Sequence, residues 1–164
     1  MKARLTSNAF RPIAAGIRTA VQRRTEYAAG DLASYLAAAL DAASGGIHSE
    51  TGALAESLYV RSTGRNDYET ALEAARAAFA ENPSRLTGVP PSPKAIENFE
   101  KLIAAQEGLP ERAANVFVCT CVTMLAYGLY WETGPEARPW MEPGALEWAA
   151  ERGRAVFEGW RKPM

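Results

Sequence analysis

Apolar residues at Ile13, Ile17, Ala20, Val21, Ala28, Leu32, Tyr35, Leu36, Ala39 and Leu40 recur at intervals of three and four, the period of an amphipathic helix. The pattern predicts a long helix from Pro12 to Ala43, with Pro12 in its first turn and Gly45-Gly46 beyond its end. Gly30-Asp31 marks a kink or a break where Asp31 caps a second helix, since glycine costs about 1 kcal/mol in a helix interior. Past Ile47 the spacing changes. Thr51 caps a short turn over Gly52, Ala53 and Leu54, and a strand follows with Leu58 and Val60 on one face and Tyr59 and Arg61 on the other.

Tyr68, Leu72, Ala75 and Phe79 place a helix over 67–82, ended by Pro83, and Ile96, Phe99, Leu102 and Ile103 place another over 94–107, stopped at Gly108. Between them, Thr87-Gly-Val-Pro-Pro-Ser-Pro93 is a rigid connector. These two helices either pack as a hairpin on the sheet or project as an arm towards a neighbouring subunit. Asn115 to Met124 is dense in β-branched residues and predicts the central strand of its sheet. Phe117, Cys119 and Cys121 share one face of it, and Val116, Val118 and Val122 the other. A last helix from Gly144 to Trp160 turns Leu146, Ala149, Val156, Phe157 and Trp160 inward and leaves Trp148 off that stripe, as a candidate contact with another chain.

Between that strand and the last helix, Ala126 to Ala145 carries aromatics, glycines and prolines around an isolated Arg138. It reads as a shaped loop, with Gly134 and Gly144 free to take positive φ and Pro135, Pro139 and Pro143 fixing φ. Tyr130, Trp131, Arg138 and Trp140 are then presented in fixed directions, either plugging the core or forming an interface, with a carboxylate such as Glu132, or one on a neighbouring chain, the natural partner of Arg138.

With 164 residues, 48% of them hydrophobic, the chain fits one domain spanning 1–164. A formal net charge of −1 gives no global pull towards nucleic acid. Locally, Lys2, Arg4, Arg11, Arg18, Arg23 and Arg24 precede Asp31 with Glu26 as the one acid among them. Arg11, Arg18, Arg23 and Arg24 make either a partner- or channel-facing patch or a solvated helix face. No apolar run is long enough to span a bilayer, the first residues lack the apolar core of a secretory signal, and no membrane partner is expected. His48 is the one histidine, so a histidine relay or metal cluster has no second member. Cys119 and Cys121 make half a metal site at most and are expected to be buried, inert thiols. No metal, cofactor or catalytic residue is expected.

Thr51-Gly-Ala-Leu-Ala-Glu-Ser-Leu58 resembles the Thr-Gly-x-Leu-x-x-Ser-Ile/Leu element that follows the long first helix of the neck, or tail-completion, proteins of long-tailed bacteriophages and prophages. Tyr127-Gly-Leu-Tyr-Trp-Glu-Thr-Gly, with the following Ala-Arg-Pro-Trp-Met-Glu-Pro-Gly-Ala-Leu146, resembles the Tyr-Ala-x-Tyr-Val-Glu-x-Gly and Ala-Arg-Pro-Phe-Leu-x-Pro-Ala element before the last helix of that family. The two elements occur in the family's order. The chain departs from the family between Val60 and Val116, where two helices and a proline-rich connector stand in place of short strands, a helical insertion at about 66–112.

The resemblance implies an α+β fold, with long N-terminal and C-terminal helices packed on a small antiparallel sheet. It implies a non-enzymatic structural protein of the virion neck or tail end, assembled in the bacterial host cytoplasm. Its partners would be copies of itself in a homo-oligomeric ring, a hexamer by expectation, together with head-completion or adaptor proteins, tail terminator or tail-tube proteins, and DNA passing through the channel. Tyr130, Trp131, Glu132, Arg138, Trp140 and Trp148 are the expected subunit or partner interface. Competing functions are a tail terminator capping the tail tube, a small DNA-binding helical protein using the basic first helix, and an enzyme using Cys119 or Cys121.

Overall fold

A single helix, α1 (Ser7–Ser44), runs for 38 residues and divides by burial into two halves. The computed structural model describes residues 7–44, 51–62, 65–105, 120–125, 127–135 and 137–158. In the second half of α1, Ala28, Ala29, Leu36 and Leu40 are buried. In the first half every position from Phe10 to Ala20 is exposed, including Phe10, Ile13 and Ile17. The expected helix is present and starts earlier than expected, which places Pro12 inside it.

Of the kink or break expected at Gly30-Asp31, the break does not occur. Tertiary contacts on both sides outweigh the roughly 1 kcal/mol cost of one interior glycine, and Gly30 has a steric use. A Cβ there would lie 3.3 Å from Nη1 of Arg65, so its absence lets that guanidinium lie against the helix.

After α1 the chain forms a short turn, α2 (Ala53–Glu56), entered through Gly52 at φ 83, a left-handed conformation that L side chains rarely adopt. Thr51 Oγ1 accepts from the Ala53 amide at 3.4 Å, as its position predicts. Leu54 is 1% exposed and Ser57 0%; the Ser57 hydroxyl donates to the Leu54 carbonyl at 2.7 Å and lies 2.7 Å from Thr123 Oγ1. The Thr-Gly-x-Leu-x-x-Ser-Leu element is thus a device that turns the chain from α1 into the sheet and fastens the turn to a strand beyond it.

The strands are β1 (Leu58–Ser62), β2 (Arg65–Asn66) and β3 (Thr120–Thr123), in the antiparallel order β2-β1-β3. Tyr59 lies opposite Val122 and Val60 opposite Cys121. Alternation holds as expected. Ser62 Oγ donates to Glu26 of α1 at 3.3 Å, which turns Leu58, Val60 and Ser62 towards that helix, while the Tyr59 ring meets Tyr68 edge-on at 5.3 Å on the other face.

Central position was expected for the 115–124 strand, yet among the described strands β1 is central and β3 terminal. Cys121 is accordingly half-buried rather than sealed. A run of β-branched residues reports strand propensity, and that does not distinguish a central strand from an edge with one face covered. Residues 115–119, with Cys119, lie outside the described residues, as do His48 and Trp160.

Helices α3 (Tyr68–Glu81) and α4 (Pro93–Ala104) fall where expected. They pack as a hairpin rather than projecting. Phe79 and Phe99 are parallel with centroids 4.1 Å apart, and Ala71, Leu72, Ala75, Ala78, Phe99 and Ile103 join one core with Leu36, Leu40, Leu54, Tyr59 and Leu125. Ser92 caps α4, its hydroxyl accepting from the Ala95 amide at 3.3 Å, with Pro93 in the first turn. The part of the chain that projects is instead the first half of α1.

The last helical stretch comprises α6 (Met141–Trp148), a π-helical turn (Ala149–Gly153) and α7 (Arg154–Glu158), preceded by a short helix α5 (Tyr127–Thr133). Buried or half-buried positions run 141, 144, 145 and 148, then 153 and 156. The step of five from Trp148 to Gly153 is the π-turn, which re-phases the inward face by one residue. Strict α-helical counting therefore fails across it. Leu146 and Ala149, expected inside, are exposed, and Val156 is inside as expected.

Candidate functional site

The segment expected to be a shaped loop begins as helix α5, in which Gly128 is buried because a Cβ there would meet Leu54 Cδ1 and Thr123 Cγ2, each at 3.2 Å. Glycine supplies closeness here, not positive φ. Among the described residues only Gly52 and Gly88 have positive φ, so the expectation for Gly134 and Gly144 is corrected. Gly134 ends α5 where a Cβ would stand 2.4 Å from the Tyr130 carbonyl, and its amide donates to that same carbonyl. Gly144 sits within α6, where a Cβ would lie 3.0 Å from Leu36 Cδ2 and 3.2 Å from Ala39 Cβ. Pro143 precedes it inside the first turn of α6, where a missing N–H costs nothing.

The return from α5 to α6 is closed by backbone hydrogen bonds, Ala137 N–H to Gly134 O at 3.0 Å and Arg138 N–H to Trp131 O at 2.9 Å. At its centre is Glu132. One carboxylate oxygen accepts from the amides of Trp140 at 2.9 Å and Met141 at 3.0 Å, and the other from Glu142 at 2.8 Å. Glu132 is therefore the cap of α6, reaching back from the preceding helix to satisfy amides that would otherwise lack partners. Partial burial pushes its carboxyl upward, but the three amides outweigh burial and hold it below the usual glutamate range.

Of the two partners expected for Arg138, Glu132 is ruled out by this geometry. The carboxylate is already committed to backbone donors, and Arg138 is exposed and in no ion pair among the described residues. Trp140 is a core residue at 2% exposure, with its indole Nε1 lacking a hydrogen-bond partner. Trp131 is half-buried and meets the Tyr130 ring edge-on at 5.9 Å. Tyr130 and its neighbour Leu129 face outward, at 51% and 67% exposure.

Trp148, expected to contact another chain, is half-buried and satisfied within its own: its Nε1–H donates to Asp31 of α1 at 2.7 Å. Arg152 approaches the same Asp31 at 3.5 Å and lies 5.0 Å above the Tyr35 ring. Desolvation, then the neighbouring carboxylates of Glu147 and Glu151, raise the Tyr35 phenol above its usual value. This cluster fixes α6 and the π-turn across α1.

Of the expected basic patch, Arg11, Arg18 and Arg23 are exposed on the projecting half of α1, and Arg24 is half-buried with its guanidinium 5.9 Å from the Tyr27 ring centre. The structure thus joins Glu132, Trp131 and Trp140 in one folded unit, sends Trp148 to α1, and leaves Tyr130 and Arg138 at the surface. The patch arginines lie on a separate arm. Among the described residues no group of His, Cys, Asp and Glu could hold a metal ion, and no helix is long and apolar enough to cross a membrane.

The chain is a mostly helical α+β protein, with a long N-terminal helix and a three-stranded antiparallel sheet. Comparison with known proteins finds no matching family model, curated protein or solved structure.

Sequence reasoning missed the outer face of α6 and the π-turn, where Leu146 lies four residues after Glu142, Ala149 and Ala150 lie three and four after Leu146, and all are exposed. The available signal was Gly144, whose lack of a side chain marks the opposite face as the tightly packed one.

Proposed function

We propose that this chain is a structural component of the neck or tail end of a long-tailed bacteriophage, working by subunit contacts rather than by catalysis, and assembling as a ring that helps join a filled head to a tail. The observation that carries this reading is surface left over once the fold is complete. Phe10, Ile13 and Ile17 leave one helix face apolar and exposed, and Leu129, Tyr130 and Leu146 leave large apolar side chains exposed on others, the kind of surface that subunit contacts cover. Resemblance of the two ordered sequence elements to the neck and tail-completion family supplies the setting. The elements carry fold duties in this chain, a turn fastened by Ser57 and a helix capped by Glu132, which suits retention of a common scaffold.

The test is genetic. Deleting the gene from the phage or prophage that encodes it is expected to give DNA-filled heads and separate tails by electron microscopy, with infectivity restored by supplying the chain in trans. Intact infectious particles from the deletion would remove the neck role. Particles whose tails are joined but irregular in length would favour the tail terminator instead.

A further inference from the structure

We propose that the first half of α1 is a docking arm that seats on the outer face of α6 and the π-turn of a second copy of this chain, head to tail. The inference rests on the ring-forming reading above and gives it a contact. On the arm, Phe10, Ile13 and Ile17 are 52%, 58% and 61% exposed and lie at spacings of three and four. The same spacing leads through Val21 to buried Ala28, so the exposed stripe continues the face that the body of the protein already covers. A helical face of this kind is the apolar ridge that a complementary groove or helix takes up.

The receiving face belongs to the same chain. Leu146, 66% exposed, stands with Ala149 and Ala150 on one side of the helix, and the two alanines let a second helix approach closely. Glu142 and Glu147 edge this face and form no ion pair among the described residues, while the nearby cations Arg152 and Arg154 are matched by Asp31 and Glu158. Glu142 also ties this face to α5, its amide donating to Glu132 at 2.8 Å. The arm from Ser7 to Ala20 and the face from Met141 to Gly153 are each about 20 Å long at helical rise.

Charge selects the occupant. Between Ser7 and Ala20 the arm carries Arg11 and Arg18 and no acid, and Arg23 and Arg24 follow it. Two arms packed on each other would oppose arginines to arginines, whereas the face from Met141 to Gly153 carries Glu142, Glu147 and Glu151 against Arg152 alone, a net charge opposite to that of the arm. Such a contact uses a different surface on each partner. It is heterologous, and it generates a closed ring when the rotation between copies closes.

The test uses the full chain at micromolar concentration, with mass read by light scattering or sedimentation and folding checked by circular dichroism. Wild type is expected above monomer mass, more so at low salt. An arm variant (Ile13→Asp with Ile17→Asp) and a face variant (Leu146→Asp with Ala150→Asp) change only exposed residues, so each should remain folded. Each should weaken self-association at least about tenfold, leaving monomers. Mixing the two should restore a one-to-one dimer and nothing larger, since one intact arm meets one intact face. The inference is overturned by a monomeric wild type, by either variant keeping the wild-type mass, or by a mixture that stays monomeric. Those outcomes are separate from the neck reading: arm-variant particles that remain infectious remove the docking and keep the neck role, and docking in a chain whose deletion leaves particles normal does the reverse.

Discussion

Replacing Glu132 by alanine removes the acceptor for the amides of Trp140, Met141 and Glu142 in one step. An ordinary N-cap substitution costs about 0.5 to 2 kcal/mol for one or two amides. Here a charged carboxylate serves three, including that of buried Trp140, while Glu142 is exposed and water can replace its bond. A loss of about 2 to 3 kcal/mol follows, or roughly 5 to 10 °C in melting temperature for a domain of this size. Glu132→Gln keeps one oxygen acceptor and should lose about half as much.

The pH dependence has a fixed sign. The folded-state pKa of Glu132 lies below its unfolded value, so its stabilisation is fully present above the ordinary glutamate range near 4.3 and is lost as pH falls through the folded value. Thermal melts monitored by circular dichroism at neutral pH and at stepwise lower pH should therefore show wild type and Glu132→Ala converging in acid. Equal melting at neutral pH, or a gap that survives deep into acid, would refute the capping role.

Trp140→Ala should cost about 3 to 5 kcal/mol by denaturant titration, whereas Trp140→Phe should cost much less than that, since the indole N–H it removes has no partner to lose. Gly144→Val should destabilise by about 1 to 3 kcal/mol, because Leu36 and Ala39 leave no room for the added atoms, and a neutral result would mean α6 does not pack on α1 as described. Trp148→Phe removes the hydrogen bond to Asp31 and should cost about 1 to 2 kcal/mol, while combining it with Asp31→Asn should cost less than the sum of the two; additive losses would show that the residues are not coupled.

Helix positions were the most legible feature of this sequence because α1, α3 and α4 carry apolar residues at a period that only a helix satisfies, and their ends carry proline and a serine cap. Strand existence was legible at Leu58 and Thr120, but strand order was not, since alternation reports which face a residue occupies and not which strand lies beside it. The α5 helix was hidden by its composition. Two glycines near a run of prolines read as a loop, while in the folded chain Gly128 is small to admit Leu54 and Thr123 rather than to bend the backbone. Glu132 was singled out as a partner for Arg138 on charge. Its true partners are backbone amides, which every residue has and which no sequence pattern displays.

The largest error of pattern reading, the inversion of Leu146 and Ala149, has a cause that bears on function. An α-helix keeps one phase, so a stripe counted by threes and fours is assigned to one side throughout; the π-turn at Ala149–Gly153 breaks that rule and allows two apolar faces on one continuous helix. The inner face, through Gly144, Trp148, Gly153 and Val156, is consumed by α1. The outer face keeps Leu146, Ala149 and Ala150 in solvent. α1 has the same doubling along its length, with one apolar face that is covered after Ala28 and uncovered before it. Local consistency explains every buried part of both helices, so the apolar positions that remain are those the isolated chain gives no reason to keep. The proposed docking of a second copy accounts for both at once, since it sets the arginine-bearing arm against the carboxylate-edged α6 face.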